Sequence, residues 1–310
     1  GCGGGQRLDR KERRDLELRQ IKGDTWCLEG AELIPLVRLP GDKCVLLDSG
    51  HAFEGEALTA ALEGAGLTPL GVFCSHAHVD HAGNNHYLRR RYGAKLCLPA
   101  GEAALSANLT MYKAVYNAFT PRNLERRNGH LLGPVDEVVG PQDGMMEFCS
   151  VPLQVVHTPG HTPDHICTVT PDGVLYTADA LMAGHVLESA KLPYHGLHEE
   201  ARQSMEKLRH TACSVCVVAH QGVVKDLPGL VDANLAALDR LSEDLLSLAV
   251  EPVSMDQLCL AYYHKKQLLT THIEKAALYA RNIDAMAEYL VDMGRMDIQV
   301  QEGVRYFVRA

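Results

Sequence analysis

Aromatic residues are scarce in this chain, at 5% of 310 residues, with one tryptophan and five phenylalanines. A large cleft of stacked aromatic rings is therefore not expected. No apolar run approaches the ~20 residues a membrane helix needs, so no membrane partner is expected. The chain opens without a charged start, apolar stretch and small-residue cleavage site, so a secretory signal is not expected and a cytoplasmic location is. Positive charge is not in excess. The formal net charge is −9, which argues against a general nucleic-acid binder with a basic surface. Whole-chain disorder is excluded by 46% apolar and 22% charged residues. A chain of this length corresponds to about two average domains and can bury a core without disulfides or metal staples.

Two residue types are plentiful. There are ten cysteines. With no secretory context a disulfide framework is not expected. Most lie in apolar runs, as Cys216 does in Ser-Val-Cys-Val-Val, and read as small core residues. Cys213 and Cys216 form a C-x-x-C pair, but no second ligand pair accompanies it, so it too reads as core. The sixteen histidines matter only where they cluster.

The chain divides into three parts. Residues 1–15 are glycine-rich and then densely charged, and read as a flexible arm. Residues 16–225 alternate strand and helix signals. Strands are predicted at 31–39, 44–48, 70–74, 94–98, 152–157, 166–170, 174–178 and 214–219, with helices at 55–65, 103–119 and 199–210. Met111, Tyr112, Tyr116 and Phe119 form an apolar stripe on the second helix and read as core or lid. Residues 226–310 lose the strand signals until a terminal hairpin at 298–308. Helices followed by a hairpin suggest a small winged-helix-like unit. From Asp226 to Ala310 it carries 8 Lys and Arg against 13 Asp and Glu, a net −5, which points to packing, dimerisation or covering a site rather than to reading DNA.

Chemistry concentrates at His-Ala-His-Val-Asp-His, residues 76–81, directly after a predicted buried strand. His76 and His78 can share a metal, while Asp80 and His81 can turn toward a second. Imidazole and carboxylate suit zinc, iron or manganese. Leaving four such groups buried and unpaired would be costly. Later strand ends offer further ligands. His161 follows Leu-Gln-Val-Val in the turn Thr-Pro-Gly-His-Thr-Pro. Asp179 closes Val-Leu-Tyr-Thr-Ala-Asp, and His220 closes Val-Cys-Val-Val-Ala-His. Seven ligands suit two metal ions.

With these residues in place, residues 17–225 resemble the metallo-β-lactamase-fold superfamily. The aspartate that closes an early strand in that family matches Asp48 in Leu-Leu-Asp-Ser-Gly. The His-x-His-x-Asp-His motif matches His76, His78, Asp80 and His81, and the later motifs match His161, Asp179 and His220. The resemblance implies an α/β class fold, an αββα sandwich with metals on one edge, here carrying a C-terminal, mainly helical, winged-helix-like domain. It implies that His76, His78 and His161 hold the first metal, that Asp80, His81 and His220 hold the second, and that Asp179 bridges them. Asp48 then orients a ligand histidine rather than binding metal itself. A water between two divalent ions loses a proton near neutral pH and becomes the nucleophile, with Asp80 or Asp179 handling protons. His165 is a candidate hydrogen-bonding neighbour of the ligands. Tyr194 and His195, in the loop after Asp179, are candidate substrate contacts.

The favoured reading is a hydrolase of a small-molecule ester, thioester or lactone with two divalent ions, zinc first. The ligand set is similar to glyoxalase-II-like and lactonase-like members, although the basic glutathione-binding pattern of glyoxalase II is missing near the C-terminus. A metal-dependent nuclease or phosphodiesterase is the alternative, disfavoured by the acidic C-terminal unit. A persulfide dioxygenase of the same superfamily carries Gly-Arg-x-Asp-Phe after the bridging aspartate, where this chain has Ala-Leu-Met-Ala-Gly-His. A non-catalytic effector is disfavoured by the intact ligand set. A homodimer is a fair expectation for a chain with an added helical unit.

Overall fold

The computed structural model describes residues 15–116, 119–220 and 222–310. The arm expected over residues 1–15 lies, except for Asp15, outside the described residues. Two sheets face each other. The first is ordered β1 (Glu17–Lys22), β2 (Thr25–Glu29), β3 (Leu33–Leu39), β4 (Lys43–Leu47), β5 (Thr68–Phe73), β6 (Lys95–Pro99) and β7 (Glu137–Val139). It is antiparallel as far as β4 and parallel from β4 to β7. The second contains β8 (Gly144–Phe148), β9 (Val151–His157), β10 (Ile166–Val169), β11 (Val174–Ala178), β12 (Val215–Val218) and β13 (Gly222–Val224), in reverse order across the sheet. Only its β11–β12 pair is parallel.

The apolar strand sequences follow from burial on both faces. Along β4, Val45 and Leu47 point between the sheets, while Cys44 and Leu46 point out toward helices. In β12, Val215 and Val217 point inward, and Cys216 and Val218 outward. Side-chain alternation along a strand makes each residue serve one layer or the other. The first sheet is covered by α1 (Gly55–Gly64), α2 (Asn85–Tyr92), α3 (Ala100–Ser106), α4 (Leu109–Val115) and α5 (Pro121–Asn128). Leu58, Leu62, Leu88, Tyr112 and Leu124 seal that layer. The single helix expected over 103–119 is instead two. Asn108 interrupts it, with its side chain accepting the Met111 N–H at 3.0 Å, a cap that starts α4 anew. Tyr112, Tyr116 and Phe119 are buried as the stripe reading requires, whereas Met111 is exposed.

The other outer layer contains α6 (Gly184–Ser189), α7 (His198–Arg209), α8 (Leu227–Leu246), α9 (Met255–Lys266) and α10 (Ile273–Asp292). Helix α8 starts where Asp226 caps the Gly229 N–H, and α9 starts with a Ser254–Gln257 capping box. Strands β14 (Val253–Ser254), β15 (Met296–Gln301) and β16 (Val304–Arg309) form a third sheet. From α8 onward the order is helix, strand, helix, helix, strand, strand, as in a winged helix. Its interior is continuous with the outer face of the second sheet. Cys167, Leu175 and Cys216 share one cluster with Leu238, Leu245, Tyr262, Ile283 and Phe307. No helix of the described residues is long and apolar enough to cross a membrane.

Candidate metal centre

Five strands end at one edge of the sandwich, and each is followed by one or more of the expected residues. Asp48 follows β4, His76 to His81 follow β5, His161 follows β9, Asp179 follows β11 and His220 follows β12. Loops just past strand ends can aim side chains from a rigid scaffold. Two of these joints are strained. Asp48 has φ +68° and Ala178, the residue before Asp179, has φ +43°. Non-glycine residues rarely adopt that region, and the conformation turns both carboxylates inward.

The seven side chains form two groups. Each of the sets His76, His78, His161, Asp179 and Asp80, His81, Asp179, His220 offers ligand atoms lying within 4.8 Å of one another. Asp179 belongs to both. Its Oδ2 lies 3.0 Å from His161 Nε2, and its Oδ1 lies 3.1 Å from His81 Nε2 and 3.2 Å from His220 Nε2. A third set, Glu32, His51 and Asp80, adjoins them.

The outer nitrogens of four imidazoles are already committed. His81 Nδ1 meets Asp48 Oδ2 at 2.7 Å, and His161 Nδ1 donates to the Tyr194 carbonyl at 2.9 Å. Ser75 Oγ donates to Asp48 at 2.8 Å and so accepts from His76 Nδ1 at 2.9 Å. His78 Nε2 meets the Tyr116 hydroxyl at 2.6 Å. The Asp48, Tyr194 carbonyl and Ser75 contacts each hold a proton on the outer nitrogen of His81, His161 and His76 and leave Nε2 turned inward, while the Tyr116 hydroxyl, which can donate or accept, orients the His78 ring. The inward atoms fit a cation. His76 Nε2 is buried without a hydrogen-bond partner, His81 Nε2 and Asp179 Oδ1 face each other at ion-pair distance without hydrogen-bond geometry, and His78 Nδ1 faces His161 Nε2 at 3.0 Å. Orphaned buried polar atoms are costly unless something satisfies them, and this nitrogen and carboxylate set is the donor chemistry that divalent zinc, iron or manganese takes.

Electrostatics agree. Burial, reinforced by the surrounding imidazoles, pushes His76 well below the usual histidine range and His78 down to about 3. Burial opposes a charge on His81 too, but Asp179, Asp80 and Asp48 together override it and hold that imidazole well above its usual range. Burial likewise opposes the Asp179 carboxylate, and His81 and His161 outweigh it, so the group stays ionised. Asp179 and its neighbours thus trade positive charge for the negative charge they share, which is the role a cation would take over.

The other expected residues are placed as follows. Asp48, 1% exposed, accepts from the Ser75 N–H, the Ser75 hydroxyl, His81 and the Tyr176 hydroxyl and reaches no ligand cluster itself. His165 is buried behind the site. Its Nδ1 meets Thr158 Oγ1, its Nε2 lies 3.3 Å from the Asp179 N–H, and burial lowers it to about 3. The Tyr194 ring lies 5.4 Å from that of His161. His195 is buried 6.3 Å from the His161 ring, with its N–H directed at Asn282 Oδ1.

Sequence reading missed Glu102 and Tyr116 as site residues. Glu102 is 1% exposed and accepts from the Ala77 N–H, the Thr162 hydroxyl and the Asp164 N–H. It ties the histidine-rich loop to the turn that bears His161, and burial raises its carboxyl above the usual range. Nothing in its neighbourhood along the chain marks it. Tyr116 was visible only as part of an apolar stripe.

Comparison with known proteins agrees with this arrangement. The chain is 28% identical over 156 residues to a hydroxyacylglutathione hydrolase of Rhizobium meliloti, covering 50% of this chain and 49% of that protein. It is 29% identical over 162 residues to an atrochrysone carboxyl ACP thioesterase of Paecilomyces divaricatus, covering 49% of each. The chain thus spans about half the length of these curated relatives. A metallo-beta-lactamase family protein of Thermus thermophilus shares the fold, with a TM-score of 0.67, 20% identity and coverage of 96% of this chain and 99% of the other. The profile of the Metallo-beta-lactamase superfamily matches residues 33–220, from β3 to the last histidine of the site. With that match over more than half of its length, the chain belongs to the Metallo-beta-lactamase superfamily.

Proposed function

We propose that this protein is a hydrolase that uses two divalent metal ions, zinc first, to cleave an ester or thioester of a small molecule. The observation that carries the reading is the convergence of inward atoms from His76, His81 and Asp179 within two ligand sets that share Asp179. In this reading His76, His78 and His161 would hold one ion and Asp80, His81 and His220 the other, with Asp179 shared between the two sets. When bound, such ions supply Lewis acidity, polarising an acyl carbonyl and making water acidic near neutral pH.

The chain's own groups do the rest. Asp48 and Ser75 keep His81 and His76 in the tautomers that face inward. The Tyr194 carbonyl does the same for His161, and Tyr116 orients the His78 ring. Asp80 is 21% exposed, against 4% for Asp179, which supports Asp80 over Asp179 as the carboxylate that passes a proton to solvent. His165 steadies the Asp179 backbone. Tyr194 and His195 border the site on the side of His161. Relatives named as a hydroxyacylglutathione hydrolase and an ACP thioesterase support the thioester choice. The acidic C-terminal unit, with its net −5 from Asp226 to Ala310, supports a small molecule over a nucleic acid.

The test is elemental analysis of protein purified without chelator, followed by a thioester and ester panel with Asp179→Asn as the control. Close to two zinc or manganese ions per chain, with turnover abolished in the variant, is the expected result. Failure to retain any ion after zinc addition, or equal turnover by Asp179→Asn, overturns the reading.

A further inference from the structure

Helix α10 carries one charged side chain to the rim of the metal centre. Arg281 donates through Nη1 to the Val115 carbonyl, and its guanidinium lies 5.0 Å from the centre of the Tyr116 ring. The hydroxyl of that same ring meets His78. The other terminal nitrogen, Nη2, lies on the side of Gly196. A Cβ built on Gly196 would stand 3.3 Å from the Tyr194 hydroxyl, 3.4 Å from the His161 carbonyl and 3.8 Å from Arg281 Nη2. The missing side chain lets the guanidinium and the phenol converge beside the His161 turn.

Arg281 differs from three other arginines of residues 198–310, although Arg240 and Arg305 likewise lie outside ion-pair distance of any described carboxylate. Arg202 pairs with Asp239, Arg209 with Glu206 and Asp232, and Arg295 with Glu243. Among the described residues no carboxylate lies within ion-pair distance of Arg281, whose polar contact is the neutral Val115 carbonyl. Its charge reaches the Tyr194 phenol, where it opposes the rise that burial causes. Among the described residues the Tyr194 hydroxyl likewise has no hydrogen-bond partner. Arg281 is thus a partly buried guanidinium with donor capacity left over beside an unpartnered phenol.

We propose that Arg281 and Tyr194 form a seat for a carboxylate carried by the substrate, so that the bond cleaved at the metal centre belongs to an acyl compound with a free carboxylate nearby. This rests on the hydrolase reading above. A guanidinium fork matches a carboxylate in plane, and a phenol hydroxyl adds a third donor. The charge favours a monoanion over a phosphate. One cation stands beside the phenol, and the nearest lysine along the preceding loop, Lys191, is committed to the Gln267 carbonyl at 3.2 Å. The seat also gives the C-terminal unit a part in specificity, because α10 supplies the cation and the catalytic sandwich supplies the phenol.

The test uses the zinc-loaded chain and three thioesters. S-glutaryl- and S-valeryl-N-acetylcysteamine have the same acyl length and differ in a terminal carboxylate. S-valeryl-3-mercaptopropionate carries the carboxylate on the leaving thiol instead. One of the two carboxylate substrates is expected to exceed the neutral one in kcat/KM by about 10- to 100-fold, the worth of a charged hydrogen-bonded contact. That ratio should fall toward one in Arg281→Gln. Should Arg281→Gln fail to fold, Tyr194→Phe removes a single hydroxyl and should lower the ratio several-fold. Equal turnover of all three by the wild type, or a ratio unchanged in the variants, overturns the seat while leaving the hydrolase reading intact. If no thioester is cleaved, the hydrolase reading falls, and calorimetry of glutarate against valerate decides the seat alone. Tighter glutarate binding that is lost in Arg281→Gln supports it, and equal binding overturns it.

Discussion

Replacing Asp48 with asparagine isolates what a buried carboxylate does for the metal centre. The backbone is not disturbed, because asparagine tolerates the left-handed conformation that Asp48 adopts at φ +68°. The shape is the same, and only the charge and one acceptor are lost. Four donors now converge on two oxygens. The Ser75 N–H meets Oδ1 at 2.6 Å, while the Ser75 hydroxyl, His81 Nδ1 and the Tyr176 hydroxyl meet Oδ2 at 2.8, 2.7 and 2.7 Å. If the amide oxygen keeps the Ser75 N–H, the amide nitrogen confronts three donors. The hydroxyls can rotate away. His81 can adapt only by moving its proton to Nε2, which removes the lone pair that faces Asp179. A hydrogen bond to a charged group is worth about 1.5–3 kcal/mol, so the variant should lose about 3 kcal/mol of stability after partial rearrangement. Loss of a partner that orients a ligand histidine weakens metal binding by about 10–100-fold, and here the loss should fall on the ion held with His81. Urea denaturation gives the first quantity, and chelator competition with stoichiometry gives the second. Two ions held by Asp48→Asn with wild-type affinity would refute the tautomer argument.

Two further substitutions test other parts of the structure. A Cβ at Gly83 would stand 2.5 Å from the carbonyls of Gly50 and Val79 and 2.6 Å from the Ala52 nitrogen, all of them backbone. Gly83→Ala should therefore cost about 1–3 kcal/mol or more and loosen the loop that bears His76 to His81, read as a lower Tm and poorer metal retention. A wild-type Tm would contradict the predicted crowding. His157 pairs with Asp164 across 3.4 Å and hydrogen-bonds to the Gly140 carbonyl, and the Asp164 contact raises it above its ordinary value of 6.5. A raised folded pKa means that its contribution is complete below about pH 6.5 and is lost as pH rises through the folded value. His157→Asn should narrow the stability difference from wild type as the buffer moves from pH 6 to 8. A gap that widens with pH would show the sign to be wrong.

The candidate ligand clusters could be anticipated from the sequence because their members are either contiguous or end short apolar runs. Strands β10 to β12 are buried on both faces, so they appear as unbroken apolar segments with a polar residue just beyond. Edge strands leave no such trace. Strand β1 alternates only between exposed and half-buried positions, and β8 has a single fully buried residue, Phe148. The break at Asn108 was hidden for another reason. Apolar periodicity continues across it, and one side-chain cap decides the matter. Glu102, Tyr116 and Arg281 reach the site only through tertiary folding, each from a segment whose neighbours along the chain carry no sign of chemistry. Their roles depend on what faces them, and local pattern does not carry that information.

The candidate centre also lies across the seam of the sandwich. His76 to His81 extend from the first sheet, while His161, Asp179 and His220 extend from the second. Besides the interior packing, the two half-shells are joined near this edge by the Leu33 N–H to the Ala219 carbonyl, by the Ile166 N–H to the Ser75 carbonyl and by Tyr176 to Asp48. An ion gripped from both sides would be a rivet through that seam. Opening the sandwich would first require releasing it, so resistance to unfolding would track the free ion concentration, by about 4 kcal/mol at a thousandfold excess over Kd. The coupling also runs the other way. Phe73 and Phe148 touch across the interior with ring centres 5.6 Å apart and help set the gauge between the half-shells. Phe73 ends the strand three residues before His76, so a change in that contact would be felt as a change in the bite offered to the ion.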